Sequence, residues 1–175
     1  MEPVLTNRCR WDEASLKKGF AWSSRKSTRQ LLLLSAVFLF IAVYRLCTRG
    51  LDLIPVILLA AGIAYPIIAL RLPARFTKLQ LRRMEENFQT DHLDTVTAFR
   101  DGELETWQEG KAAFSRIRYD SLKTAAALSG LILLWTRSKQ FVLLDPARFE
   151  NGTEADFWRL MNEKCPKAVP KKHRV

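Results

Sequence analysis

Two apolar runs, Leu31–Leu46 and Leu53–Leu72, separated only by a short polar turn, restrict the architecture of this chain more than any other feature of its sequence. At the α-helical rise they span ~24 Å and ~30 Å, against a bilayer hydrocarbon core of about 30 Å. Neither run repeats a polar face every three or four positions, so as helices both would need apolar surroundings on all sides. A chain of 175 residues has too little protein left over to supply that burial. The expected solution is a transmembrane hairpin over 31–72, with spans at about 31–47 and 52–72. The tetrapeptide Cys47-Thr48-Arg49-Gly50 offers a glycine where the first helix stops, Asp52 can cap the second, and Pro55 falls in its first turn. Ala60, Ala61, Gly62 and Ala64 permit close approach of the first helix, and Pro66 predicts a kink. Ser35 is the polar residue inside the first run, while Tyr44 and Arg45 sit at its end, where both suit an interface.

The formal charge of +10 is distributed around this block rather than gathered into a nucleic-acid-binding patch. Arg8, Arg10, Lys17, Lys18, Arg25, Lys26 and Arg29 precede it, Arg71, Arg75, Lys78, Arg82 and Arg83 follow it, and the turn holds only Arg45 and Arg49. By the positive-inside bias both termini are expected in the cytoplasm. Residues 1–30 read as a basic amphipathic helix on the membrane surface, with Leu16 and Phe20 one turn apart and Trp11 on the approach. Residues 73–90 read as a second such helix, a linker with Phe76, Leu79, Met84 and Phe88 on one stripe. The cations Arg71, at the end of the second span, and Arg75, Lys78, Arg82 and Arg83, on this linker, are the candidate contacts to anionic lipid headgroups, each worth about 1 kcal/mol near a charged surface.

Beyond Thr90 the pattern changes to short extended runs with turn signals, and a cytoplasmic antiparallel β domain is expected over 91–165. Thr95–Phe99 and Glu103–Trp107 flank Asp101-Gly102, a hairpin dipeptide that favours positive φ. Ala112–Tyr119, Leu122–Ala127, Leu131–Trp135 and Phe141–Leu144 follow. The last two are apolar throughout, as strands covered on both faces are, and nominate Leu133, Trp135, Val142 and Leu144 for the core. A closing helix is predicted from about Glu154 to Lys164, started by Thr153 and Asp156. The tail 166–175 is basic and expected to be disordered. The expected fold is thus α+β.

No catalytic, cofactor or metal motif is present. There is no glycine-rich phosphate loop, nucleophile elbow or zinc-binding helix, and the spans lack a deep ionisable group. Cys9, Cys47 and Cys165 lack metal or redox spacing, which points to a reducing compartment. His92 between Asp91 and Asp94 lacks a third ligand and reads as a polar linker residue. Glu103, Glu105 and Glu109 read as ordinary solvent-facing acids.

Phe99-Arg100-Asp101-Gly102-Glu103-Leu104, Tyr119-Asp120-Ser121-Leu122, the strand Leu131–Trp135 and Phe141-Val142-Leu143-Leu144-Asp145-Pro146-Ala147-Arg148-Phe149 resemble motifs of the YcxB-like family of bacterial two-span membrane proteins. The departures are Tyr119, where the family usually carries Trp, and Asp145 before the proline, with the basic residue displaced to Arg148. The resemblance implies a pleckstrin-homology-like β domain with a closing helix, in the bacterial inner membrane, and no established activity. Two functions follow as expectations. One is a non-enzymatic module whose tethered β domain binds a protein partner or anionic lipid. The other is an immunity-type protein whose hairpin neutralises a toxin.

Overall fold

The computed structural model describes residues 3–50, 52–109 and 113–173 and divides into two compact units, one of residues 20–82 and one of residues 1–19 with 83–175. Three helices, α1 (Glu13–Arg49), α2 (Leu53–Phe88) and α3 (Glu154–Lys164), accompany eight strands. The strands are β1 (Leu5–Trp11), β2 (Leu93–Phe99), β3 (Glu103–Gln108), β4 (Ala113–Arg118), β5 (Leu122–Leu128), β6 (Leu131–Thr136), β7 (Phe141–Leu144) and β8 (Phe149–Glu150). The protein is therefore α+β, with antiparallel sheets.

Residues 20–82 form an antiparallel helical hairpin. Phe20 stacks on Phe76 at 6.0 Å, and further along the Ser35 hydroxyl donates to the Gly62 carbonyl at 2.5 Å. That bond accounts for the polar group in an apolar run, since Ser35 is buried and has no water to turn to. Gly62 is required there: a Cβ would fall 2.7 Å from the Leu39 side chain. Ala42 and Ala69 are fully buried, so small residues set the approach of the two helices. At the turn, Gly50 takes φ +78° and donates its N–H to the Leu46 carbonyl, while the Asp52 carboxylate accepts from the Ile54 N–H. Both helices are long and apolar enough to cross a membrane. Only 11% and 17% of their apolar windows is buried by the protein itself, so most of their apolar surface has no cover within the chain.

The expected separate linker helix at 73–90 does not exist as an element: α2 runs unbroken through Pro66 and Pro73. The Thr77 hydroxyl bonds back to the Pro73 carbonyl. The predicted apolar stripe also dissolves, because Met84 is buried while Leu79 is 48% exposed. Phe88 is helical, but its side chain lies outside the described residues.

The other unit is a two-sheet β domain, of strand orders β4-β3-β2-β1-β8 and β5-β6-β7, closed by α3. Its main correction concerns the N-terminus. Leu5–Trp11 is a strand, not the start of an amphipathic helix, and it lies inside the larger sheet, paired from Leu5↔Phe99 to Trp11↔Leu93. Only from Glu13 is the chain helical, opened by the Asp12 carboxylate accepting from the Ser15 N–H. The domain thus contains residues on both sides of the helical hairpin rather than 91–165 alone.

Asn7, fully buried in β1, shows how tightly the strand is tied in. Its Nδ2 donates to the carbonyls of Asp145 (2.7 Å) and Arg148 (3.3 Å), and its Oδ1 accepts from the Asp145 N–H at 3.0 Å. One side chain therefore satisfies the turn between β7 and β8. Asn7→Ala is expected to cost about 2–3 kcal/mol, because the partners stay buried without donors or acceptors. Urea unfolding of the solubilised chain checks this, and a change under ~0.5 kcal/mol would show that water replaces the amide fully.

The core between the sheets holds Leu5, Phe99, Leu104, Ile132, Leu134, Val142, Leu144, Phe157 and Met161. Phe157 touches three rings, Phe99 and Phe149 at 5.5 Å and Trp158 at 4.9 Å. The four nominated core residues divide between faces. Val142 and Leu144 belong to this cluster, whereas Leu133, also fully buried, alternates with Ile132 and Leu134 on β6 and faces the other way, as does the partly buried Trp135. That outer face is covered by the start of α1 and the end of β1. A Cβ on Gly19 would meet Phe141 at 3.1 Å, Trp11 stacks on Phe141 at 6.1 Å and donates its indole N–H to the Leu143 carbonyl, and Lys18 reaches the Ser129 carbonyl. Coverage on both faces explains why β6 and β7 are apolar throughout.

Two smaller expectations also change. Gly102 does not take positive φ; the turn is closed by the Arg100 N–H donating to the Glu103 carbonyl. The tail is ordered through His173, with Ala168 and Val169 in the core, the Ala125 N–H donating to the Ala168 carbonyl, and the His173 ring 4.1 Å from that of Trp158. The α3 cap is a full capping box between Thr153 and Asp156.

Candidate functional site

Spacings of four, three and four residues place Arg71, Arg75, Lys78 and Arg82 on one face of α2. All four are exposed, while Ala69 and Thr77, buried, lie on the side of the helix turned into the hairpin. Arg83, also exposed, follows about 100° around the helix and leaves the stripe. Of the five candidate headgroup contacts, four therefore form one cationic line and the fifth diverges. The line continues directly from the apolar length of α2.

Exposed large apolar side chains have a telling distribution. Among the described residues all of them except Val4 lie on α1 and α2, between Leu32 and Leu79. Among the described residues the β unit exposes no other large apolar side chain, although Trp107, Trp135, Phe141 and Phe149 are half-buried.

Its charges are partly committed. Glu105, expected at the surface, is buried and held between Arg100 (2.7 Å) and Arg116 (3.0 Å). The hydrogen bond from Arg100 keeps its carboxyl below the usual carboxylate range. Glu109 and Glu150 both pair with Arg8 on β1, across the sheet. These acids hold strands together. Lys123, Arg137 and Lys139 make an exposed cationic end on the smaller sheet. Lys123 sits in the bulge between β5 and β6, the Arg137 N–H binds the Ser121 carbonyl, and Lys139 takes φ +64° in the turn to β7. Sequence reading did not single out this group, because Lys123 joins Arg137 and Lys139 only through the pairing of β5 with β6.

His92 lies between its neighbours as expected, with Nδ1 2.6 Å from Asp91 and Nε2 3.5 Å from Asp94. Among the described residues no group of three or more His, Cys, Asp or Glu could hold a metal ion. Cys9 and Cys165 are buried and Cys47 is exposed; burial pushes the thiols of Cys9 and Cys165 up to about 12 and about 11. Both are thus poor nucleophiles at neutral pH. Compared with known proteins, the chain matches no protein family and no curated protein.

Proposed function

We propose that this chain is a membrane-anchored, non-enzymatic interaction module, in which the helical hairpin anchors a pleckstrin-homology-like β domain, of the YcxB-like type, that binds a protein partner or anionic lipid headgroups on the cytoplasmic side of a bacterial inner membrane. The observation that carries this reading is the segregation of surface. Among the described residues the exposed large apolar side chains other than Val4 all lie on the two long helices, and toward the end of that stretch of α2 they are interleaved with the exposed cationic line Arg71, Arg75, Lys78 and Arg82. A bilayer is the solvent that such a division fits.

The test has a topology arm and a binding arm. The chain is expected to resist alkaline extraction from membranes, and the exposed native Cys47 at the hairpin turn should react with an impermeant maleimide from outside, whereas a cysteine replacing Ser129 in a Cys47→Ser chain should not. In bilayers, the segment 74–82 should exchange amide hydrogens more slowly on anionic than on neutral lipid, and Arg75→Gln with Lys78→Gln should remove that difference without releasing the chain. Exchange independent of lipid charge, with no partner crosslinking to the β domain in cells, would defeat the interaction reading while leaving the anchor intact.

A further inference from the structure

Between α1 and α2 lies an open groove of about 340 Å³, lined on one wall by Arg25, Thr28, Arg29 and Leu32 and on the other by Leu70 and Pro73. It is distinct from the cationic line on α2, none of whose members reaches it. Its floor is shallow in side chains because Ala21 and Ala69 stand where larger residues would fill the gap. The α1 wall changes character along its axis, with Arg25 and Arg29, one turn apart, followed by Leu32, 42% exposed, while Leu70, 70% exposed, stands on the α2 wall across from the arginines.

Two guanidinium groups one turn apart on a helix repel unless an anion lies between them. The hairpin has none to offer, since the sole acid from Phe20 to Arg82 is Asp52, at its other end. Guanidinium pairs match phosphate oxygens in geometry and charge. A free phosphate would satisfy the arginines and leave the leucines uncovered; a neutral amphiphile would do the reverse. We propose that the groove binds one anionic glycerophospholipid, its phosphate on Arg25 and Arg29, its glycerol beside Thr28 and an acyl chain along Leu32 and Leu70. The inference rests on the membrane reading above. It adds a discrete lipid site within the hairpin, apart from any diffuse attraction of the α2 cations.

Native mass spectrometry of the full chain, released from detergent with phosphatidylglycerol or phosphatidylcholine, reads the site directly. The wild-type chain is expected to retain a single phosphatidylglycerol in preference to phosphatidylcholine. Arg25→Gln with Arg29→Gln should weaken retention about thirtyfold, each cation contributing about fivefold. Leu70→Trp, which keeps both cations but fills the groove from its apolar α2 wall, should weaken it about tenfold. Lys26→Gln, exposed on the same helix and outside the groove, should leave it unchanged. Equal retention of the two lipids, or an unchanged adduct in the double arginine variant, overturns the site. So does displacement by inorganic phosphate alone, which would assign the arginines to a free anion. Release from membranes by alkaline extraction would instead remove the membrane reading itself.

Discussion

Deleting Leu5–Trp11 is expected to abolish folding of the entire β unit, although those residues precede the first helix and most of the unit follows the second. β1 lies between β2 and β8, so its removal opens the five-stranded sheet in the middle and leaves the β2 edge without a partner over seven residues. It also removes Leu5 from the core and the Asn7 amide from the β7–β8 turn. With each ladder hydrogen bond worth about 1 kcal/mol net, and the apolar burial added, the loss is comparable to the ~5–15 kcal/mol that holds a domain of this size together. A fragment from Thr90 to Pro166, which the sequence alone nominates as a soluble domain, is expected to be aggregated or unfolded by circular dichroism. Residues 3–19 joined to 83–173 by a flexible glycine-serine linker, by contrast, should be soluble and strand-rich. A cooperative thermal transition in the 90–166 fragment equal to that of the linked form would show β1 to be dispensable.

Phe157→Ala should be the most damaging single truncation in the same domain. The ring is fully buried on α3 and contacts Phe99, Phe149 and Trp158, aromatic groups from two strands and its own helix. Rigid rings on three sides cannot collapse into the space, so the cavity term adds to the lost transfer energy for about 3–5 kcal/mol in total. For a domain of roughly a hundred residues that lowers Tm by on the order of 15–30 °C. The measurement is thermal unfolding of the linked β unit, with Arg159→Ala on the exposed side of α3 as the comparison. A fall in Tm no larger than that of Arg159→Ala would mean that the core repacks freely around the vacancy.

Most of the strands after Thr90 could be read from the chain, because their apolar runs are bounded by turns and two of them are apolar on both faces. The capping box of Thr153 and Asp156 was equally legible, being a local pattern of residue types three positions apart. β1 was not. Its inward positions are Leu5, Asn7, Cys9 and Trp11, and two of the four are polar or weakly apolar, so the alternation that marks a strand is faint. The nearby basic residues and Leu16 and Phe20 suggested a helix that begins only at Glu13. Asn7 is polar because its task is to hydrogen-bond a turn more than a hundred residues away, a partner no local pattern can reveal.

Sequence by itself determined the hairpin, because solvent preference is a property of the residues: long apolar helices without a polar face, a Gly to stop one and an Asp to start the next. It also determined which cations share a face of α2, since helical periodicity depends on spacing alone. Only the tertiary structure decided what was covered. Leu79 is exposed and Met84 buried on a stripe that looked uniform, Glu105 is buried between two arginines, and the basic tail contributes Ala168 and Val169 to the core. The groove at Arg25 and Arg29 and the cationic end at Lys123, Arg137 and Lys139 belong to the same class. Each exists because residues distant in the chain are brought side by side by helix or strand pairing, and neither charge nor burial is defined until that pairing is made.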